Sequence, residues 1–190
     1  MTQVDATVKD EELASLAKAG DRAAFDALVR RHKVSLYRFV RHYVGNADDA
    51  YDVLQEAFIA AWRGLRKFDP ARAFAPWLKT IALNKCRDYG RRRTIRRLLL
   101  QTYASELPQF PDVDTSDEQL RQKLQENRRL SRLDHAIATL PPIYKEPLLL
   151  TLIAGLSHQE VADILKTTPK AIEVRLYRAR IKLREKMESD

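Results

Sequence analysis

Residues 155–183 constrain the fold of this chain more than any other stretch. Ser157 and Glu160 have the capping-box spacing that begins a helix, and apolar residues follow them at helical spacing. Thr168 and Pro169 then offer an N-cap residue followed by proline at the first helical position. The stretch therefore predicts two short helices joined by a tight turn.

The second of these helices is predicted to be strongly basic. Its apolar residues recur at steps of four, three and four and so share one face: Ile172, Leu176, Ala179 and Leu183. The other faces carry Lys170, Arg175, Arg178, Arg180, Lys182 and Arg184. A short support helix followed by a basic helix is the arrangement with which a helix-turn-helix enters the DNA major groove. The alternative is a helical hairpin whose basic face is only solvated.

The overall charge also favours a polyanionic partner, because the formal net charge is +8 and the pI is near 9.7. The single cysteine, Cys86, excludes an intramolecular disulfide and fits a reducing compartment. Its place in an apolar helical pattern predicts a core position. The polar N-terminus lacks a signal-peptide core, and the longest apolar stretch, residues 147–156, is too short to cross a membrane. We expect a soluble cytoplasmic protein without membrane insertion.

Helical periodicity dominates the chain, and no alternating strand pattern stands out. Helices are predicted over Glu11–Ala19, from Asp21 to Tyr43, over Ala47–Leu65 and from Pro76 onward, with a connection between Phe68 and Ala75. No Lys or Arg occurs from Leu98 to Leu120, where acidic residues and two prolines predict a linker. The helical pattern resumes near Glu118, and Pro141-Pro142 separates two further helices. The predicted fold is all-α, with helical domains at 10–97 and 128–187 joined by an acidic linker at 98–127.

A second basic segment lies at the end of the first predicted domain. Its basic residues are Lys79, Lys85, Arg87, Arg91, Arg92, Arg93, Arg96 and Arg97. Three aromatic residues, Phe68, Phe74 and Trp77, precede it on or near a predicted loop. Aromatic side chains beside a basic face suit single-stranded bases, which stack or are flipped out. The alternative for each aromatic residue is core packing.

The predicted helix over Ala47–Leu65 carries an acidic and polar outward face. Asp49, Asp52 and Glu56 are spaced by three and four residues, and Gln55 is nearby. Such a face is either solvated or docks on a basic or polar partner helix.

Together these segments resemble the extracytoplasmic-function (ECF) sigma factors of bacterial RNA polymerase, members of the sigma-70 family, from Leu13 to Met187. The matching residues in the first part are Gly20-Asp21, Ala24-Phe25, Asp49-Ala50, Asp52, Gln55-Glu56, Phe58, Trp62, Phe74, Trp77-Leu78, Ile81-Ala82, Asn84, Asp88 and Arg91. In the second part they are Thr139-Leu140-Pro141, Gly155-Leu156-Ser157, Glu160-Val161-Ala162, Leu165 and Arg175-Leu176-Tyr177-Arg178-Ala179-Arg180. Their order and spacing make the resemblance specific.

The resemblance implies a role for each surface. The first domain would be region two and the second region four, and the linker would run toward the polymerase active-site channel. The face that docks on the polymerase β′ subunit would be Asp49, Asp52, Gln55 and Glu56, although Tyr51 departs from the acidic residue common in the family. The −10 element would be opened and bound by Phe68, Phe74, Trp77, Lys79, Asn84, Lys85, Arg87, Arg91 and Arg92. The −35 element would be read by Lys170, Glu173, Val174, Arg175, Tyr177 and Arg178.

The implied partners are the β′ and β subunits of core RNA polymerase, promoter DNA and an anti-sigma factor. We expect no enzymatic activity, metal or cofactor, because the four histidines are scattered and no glycine-rich phosphate loop is present. Two alternatives are a stand-alone regulator that binds duplex DNA as a dimer and a module that imitates a sigma factor to sequester its regulator. The first would need a receiver or ligand domain, and the second would not need the aromatic residues and arginine cluster.

Overall fold

A computed structural model describes residues 8–101 and 133–189. These two ranges contain helices and no strand. The helices are α1 (Asp10–Lys18), α2 (Arg22–Val44), α3 (Ala47–Gly64), α4 (Phe74–Gln101), α5 (Pro142–Leu152), α6 (His158–Leu165) and α7 (Pro169–Ser189). A 3-10 turn covers Leu65–Lys67, and residues 133–138 are also helical. The all-α prediction is confirmed.

Several helix boundaries follow from local capping chemistry. The Asp21 side chain accepts a hydrogen bond from the Ala24 amide at 3.2 Å and begins α2. Gly45 ends α2 in the left-handed region at φ +84°, where glycine avoids the Cβ penalty. Asn46 then begins α3, because its Oδ1 accepts from the Asp48 amide at 2.8 Å. The predicted separation of these two helices between Tyr43 and Ala47 is therefore confirmed.

The start of α4 was placed two residues too late by the sequence analysis. The helix begins at Phe74, so the connection before it is shorter than the predicted loop, which extended to Ala75. The cap of α4 is distant in the chain, because the Glu11 Oε1 atom on α1 accepts from the Phe74 amide at 3.1 Å. Local sequence could not reveal this contact across 63 positions.

The far end of α4 also differs from the prediction. The helix continues to Gln101, so the first four residues of the predicted linker are helical. The rest of that linker, 102–127, and the helical pattern near Glu118 lie outside the described residues.

The first helical unit is organised around α2, which packs against α1, α3 and α4. Its largest fully buried side chains include Leu13, Leu28, Leu36, Phe39 and Leu78. Burying each such side chain stabilises the fold by roughly 1.5–3 kcal/mol relative to exposure. Cys86 is buried among them, as predicted, and burial raises the pKa of its thiol far above the usual range. The thiol is therefore an inert core group.

The second unit consists of residues 133–138, α5, α6 and α7, and its buried apolar residues belong to the same cluster as those of the first unit. Leu149, Leu150, Val161 and Ile172 are buried there. The stripe predicted for α7 faces this cluster, with Ile172, Leu176 and Ala179 buried and Leu183 partly buried. Helix α5 also packs against α2, so the two units touch. None of the described helices is both long enough and apolar enough to span a bilayer.

Candidate DNA and polymerase interfaces

The helix-turn-helix is built as its sequence predicts. The Ser157 Oγ atom accepts from the Glu160 amide at 3.3 Å, and the Ser157 amide donates to Glu160 Oε2 at 2.8 Å, which completes the capping box of α6. Lys166 ends α6 with φ +52°, a left-handed conformation that a non-glycine residue adopts at some cost. Thr168 then begins α7, because its Oγ1 accepts from the Ala171 amide at 3.2 Å.

The outward face of α7 holds the residues predicted to read duplex DNA. Lys170, Arg175, Glu173, Val174, Tyr177 and Arg178 are exposed or partly exposed on this helix. Tyr177 is 66% exposed and Val174 is 42% exposed, although the tyrosine ring and the valine side chain are apolar. Lys170 Nζ lies 2.9 Å from Glu173 Oε2, and this hydrogen bond lowers the pKa of the Glu173 carboxyl. This exposed face therefore offers a partner several hydrogen-bond donors, the Glu173 carboxylate as an acceptor, and the apolar side chain of Val174.

The three aromatic residues before the basic segment form a cluster inside the first unit. Phe68 and Phe74 have ring centroids 5.6 Å apart, and Trp77 lies 4.8 Å from Phe68 and 5.4 Å from Phe74. Phe68 and Phe74 are each 1% exposed, whereas Trp77 is partly buried. Phe68 and Phe74, which were predicted to bind the −10 element, do not present their rings to solvent in this conformation. Of the three, only Trp77 has an accessible edge.

Lys79, also predicted to bind the −10 element, is buried as well. The side chain is 3% exposed, and its Nζ donates to Ser35 Oγ at 3.3 Å. Burial lowers the pKa of Lys79 from its ordinary value of 10.5 to about 8. Helical spacing explains the burial of Lys79. Ala82 and Leu83, three and four residues later on α4, lie on the same side of the helix and are both buried. Lys79 therefore lies on the buried side of α4, apart from the solvent-exposed basic residues of that helix.

The remaining predicted residues of α4 form a surface whose cations are paired within the chain. Asn84 is exposed, and Lys85 Nζ lies 3.7 Å from Glu56 Oε2. Arg92 donates to both Glu56 oxygens at 3.1 Å, and Arg91 pairs with Asp88. Arg87 donates from Nε at 2.8 Å and from Nη2 at 2.5 Å to the two carboxylate oxygens of Glu146, which lies on α5 in the second unit.

The acidic face of α3 divides into an exposed half and a half against α4. Asp52 and Gln55 are exposed. Asp49 Oδ2 accepts from the Tyr89 hydroxyl at 2.7 Å, and burial together with this carboxylate raises the pKa of Tyr89 to about 12. Glu56 faces Arg92. The structure thus brings the four predicted polymerase-binding residues onto one helix surface that borders the basic face.

An apolar groove beside this face was missed by the sequence analysis. Its lining consists of Phe25, Phe58, Ile59 and Trp62 together with the charged residues Arg22 and Asp26. The Phe25 and Trp62 rings are 4.9 Å apart. Ile59 is 50% exposed and Trp62 is 36% exposed. The exposed Tyr51 ring extends the apolar surface and lies 4.6 Å from that of Tyr37. The signal was present in Ile59 and Trp62, two large apolar residues that are three positions apart on α3.

Comparison with known proteins identifies the family. A family model for sigma-70 region 2 matches residues 28–96, and one for sigma-70 region 4 matches residues 130–183. The chain belongs to the sigma-70 family. It is 36% identical to the RNA polymerase sigma factor NccH of Alcaligenes xylosoxydans xylosoxydans over 181 residues, which cover 95% of both chains. It is 30% identical to the ECF RNA polymerase sigma factor SigW of Bacillus subtilis over 173 residues, or 90% of this chain and 92% of SigW.

Solved structures agree with this assignment. A structure of CnrH in complex with the cytosolic domain of CnrY matches 95% of this chain and 98% of that one, with a TM-score of 0.70 and 32% identity. The sigma factor RpoE of Bartonella quintana, solved with the anti-sigma factor NepR, shares the fold at a TM-score of 0.65 and 22% identity, covering 87% and 98% of the two chains. The predicted resemblance is confirmed: the protein is an ECF sigma factor that directs RNA polymerase to promoters. Within the described ranges, no three His, Cys, Asp or Glu residues are grouped to hold a metal.

Proposed function

We propose that this sigma factor uses three surfaces in initiation: α3 for core polymerase, α4 for the −10 element and α7 for the −35 element. The observation that carries the proposal is the outward face of α7. Its polar and aromatic side chains project from a helix whose opposite side is fully buried. Such a rigid helix preceded by a capped support helix fits the major groove.

For core polymerase we propose a surface that combines charge and apolar area. Asp52 and Gln55 lie at its exposed centre, with Asp49 and Glu56 on the side toward α4. The groove at Phe25 and Trp62 lies on its other side. Buried aromatic anchors contribute most binding energy at interfaces, while charges steer encounter and orientation. A helix of the β′ subunit with a basic side and an apolar side fits this surface.

For the −10 element we propose a division of labour on α4. Asn84, Lys85, Arg87, Arg91, Arg92 and the accessible edge of Trp77 contact the strand. Phe68, Phe74 and Lys79 instead support the helix from inside, and their role is positioning. Arginine suits this task, since its planar guanidinium binds phosphate with two parallel hydrogen bonds.

For the −35 element we propose that base edges meet the N-terminal half of α7. Glu173 can accept a hydrogen bond from a cytosine amino group, and Val174 can contact a thymine methyl group. Lys170, Arg175, Tyr177 and Arg178 would bind phosphate or guanine around them. The sequence preference of the promoter depends on these side chains.

The protein acts without catalysing a reaction, in the cytoplasm where polymerase and chromosome meet, and it is regulated by an anti-sigma factor. Support for the regulator comes from the relatives, since CnrH is solved with the cytosolic domain of CnrY and RpoE with the anti-sigma factor NepR. We further propose functional domains at 10–97 and 128–187, with residues 98–127 as the linker that enters the active-site channel.

Run-off transcription from a genomic promoter library tests the proposal. Core polymerase is assayed with the wild-type protein, with Arg175→Ala and Arg178→Ala combined, and without any sigma factor. We expect initiation from a narrow promoter set only with the wild-type protein. If the arginine variant used the same promoters with equal efficiency, α7 would not be the recognition helix.

A further inference from the structure

Helix α1 holds both ends of the connection that leads into α4. Lys18 Nζ donates to the Phe68 carbonyl at 2.9 Å, where this connection begins. Glu11 Oε1 accepts from the Phe74 amide at 3.1 Å, where α4 begins. Glu11 and Lys18 are seven positions apart, which is about two helical turns, so they lie on the same side of α1. Residues 69–73, which lie between the two contacts, are all exposed.

The first turn of α1 is itself anchored to α2. The Asp10 carboxylate accepts from Arg31 Nη1 at 2.9 Å, and its other oxygen lies 2.6 Å from His32 Nε2. The His32 ring in turn contacts the Phe74 ring, with the two centroids 5.5 Å apart. Glu11, the residue after Asp10, therefore reaches the Phe74 amide from a backbone that is held in place.

The two phenylalanines whose backbones α1 holds are the neighbours of Trp77. The centroid of the Trp77 ring lies 4.8 Å from that of Phe68 and 5.4 Å from that of Phe74. On its other side Trp77 meets Gly64, where an added Cβ atom would lie 3.2 Å from Trp77 Cζ2. Because packed side chains leave few voids, a shift of either phenylalanine would displace the tryptophan as well.

These contacts link α1 to a side chain of the proposed −10 surface. We infer that Glu11 and Lys18 are positioning residues for −10 binding, which fix the backbone at Phe68 and Phe74 and, through those two rings, the accessible edge of Trp77. The positioning role rests on the proposed function of Trp77 and α4 in binding the −10 strand. The contacts that α1 makes with the connection do not depend on that function.

The test uses the full-length sigma factor assembled with core polymerase. The probe is a single-stranded oligonucleotide with the −10 sequence of a promoter found in the run-off assay, and a scrambled oligonucleotide gives the background affinity. Glu11→Ala removes the acceptor for the Phe74 amide, whereas Glu11→Gln keeps a side-chain oxygen that can accept the same hydrogen bond. Glu12→Ala, the loss of an exposed carboxylate at the next position of α1, is the control for charge.

We expect Glu11→Ala to bind the −10 oligonucleotide about tenfold more weakly, since a misplaced Trp77 loses much of one base–aromatic stack. Its preference over the scrambled sequence should fall with the affinity. Glu11→Gln and Glu12→Ala should bind like the wild-type protein. All variants should keep their affinity for −35 duplex DNA and for core polymerase, which a general loss of folding would reduce. Equal −10 affinities for Glu11→Ala and Glu12→Ala would overturn the positioning role of Glu11.

Lys18→Met tests the other end of the connection. It removes the donor to the Phe68 carbonyl, whereas Lys18→Arg retains a donor, and Lys33→Met at an exposed position on α2 is the charge control. Lys18→Met should weaken −10 binding more than Lys33→Met does. Because both α1 residues act on one aromatic cluster, Glu11→Ala and Lys18→Met combined should lose less affinity than the sum of the separate losses. Strict additivity would contradict their action through that cluster.

Hydrogen exchange of the Phe74 amide in the free sigma factor tests the contact without DNA. Exchange should be faster in Glu11→Ala than in Glu11→Gln or the wild-type protein, and equal rates would show that Glu11 does not hold this amide. If the wild-type holoenzyme bound both oligonucleotides equally, the proposed −10 surface would fail and the positioning role with it. If the wild-type protein and the variants discriminated equally well, the positioning role alone would fail.

Discussion

Glu56 on α3 accepts hydrogen bonds from the guanidinium of Arg92 on α4, with both oxygens at 3.1 Å from Nη2. One of these residues belongs to the proposed polymerase surface and the other to the proposed −10 surface. The pair is open to solvent, and exposed ion pairs are worth about 0–1 kcal/mol, so it can dissociate at little cost when partners bind. Core polymerase on α3 and the −10 strand on α4 would therefore be direct neighbours.

The first prediction concerns the exposed carboxylate of the polymerase surface. Asp52→Lys should weaken binding to core polymerase by about tenfold or more, because it places a like charge against a basic partner helix. Affinity is measured with labelled sigma factor and purified core polymerase. The control is Glu12→Lys, the same charge change at an exposed position on α1. Equal affinities for the two variants would remove Asp52 from the docking surface.

The second prediction distinguishes a specific phosphate contact on α7 from the effect of the protein's net charge. Arg178→Ala should reduce affinity for −35 duplex DNA and lower the slope of log K against log salt by about one, as expected for one lost phosphate contact. Arg184→Ala removes the same charge further along the exposed side of α7 and should have a smaller effect. The measurement is fluorescence anisotropy over a salt series. Identical slopes for the two variants would mean that Arg178 acts only through net charge.

The third prediction uses the buried amine of Lys79. Keeping it protonated at neutral pH costs about 3 kcal/mol, given a pKa of about 8 in the fold against 10.5 in its absence. Lys79→Met should therefore raise the free energy of unfolding at neutral pH by about 1–3 kcal/mol. Urea unfolding followed by tryptophan fluorescence reports this, since Trp62 and Trp77 both lie in the first unit.

The same variant gives a pH test. Between pH 8 and pH 10.5 the unfolded chain retains the Lys79 proton that the folded chain has lost. The free energy of unfolding of the wild-type protein therefore increases as the pH rises. The Met variant has no such gain, and its advantage over the wild-type protein should shrink across that interval. A constant difference would show that Lys79 titrates normally. Lys85→Met, at a partly exposed position on the same helix, is the matched control.

The fourth prediction concerns the capping box of the support helix. Ser157→Ala should lower the free energy of unfolding of the helix-turn-helix by about 1 kcal/mol, because the Glu160 amide loses its acceptor. Ser15→Ala on α1 removes a hydroxyl that donates only to the Glu11 carbonyl in its own helix and should change stability less. Hydrogen exchange of the α6 amides provides the measurement. Equal protection in the two variants would contradict the capping role.

Much of the functional surface could be predicted from sequence because its signals are local. The helix-turn-helix is indicated by the N-cap residues Ser157 and Thr168. The four-residue spacing of Ile172 and Leu176 indicates which side of α7 is buried. The acidic residues of α3 were placed on one side by helical spacing alone. Local capping and periodicity act over a few residues, so a sequence displays them directly.

The side-chain placements that the sequence analysis did not anticipate depend on residues that are distant in the chain. Phe68 and Phe74 were expected beside DNA, yet they pack against Trp77 and Lys18 Nζ caps the Phe68 carbonyl at 2.9 Å from 50 positions away. Lys79 was assigned to a basic face by its charge, although its spacing from Ala82 and Leu83 places it inside. The local sequence does not distinguish an aromatic or basic residue that is buried in a core from one that lies on a nucleic-acid-binding surface.

The sequence by itself determined the helical class, the helix-turn-helix and the family, because capping, periodicity and motif order are properties of short segments. Only the tertiary structure decided which of the predicted DNA residues reach solvent and which partner each cation meets. The Arg87–Glu146 pair joins residues 59 positions apart, and its strength depends on the burial of Glu146 between the two units. Such contacts arise from packing between units, and no local pattern encodes them.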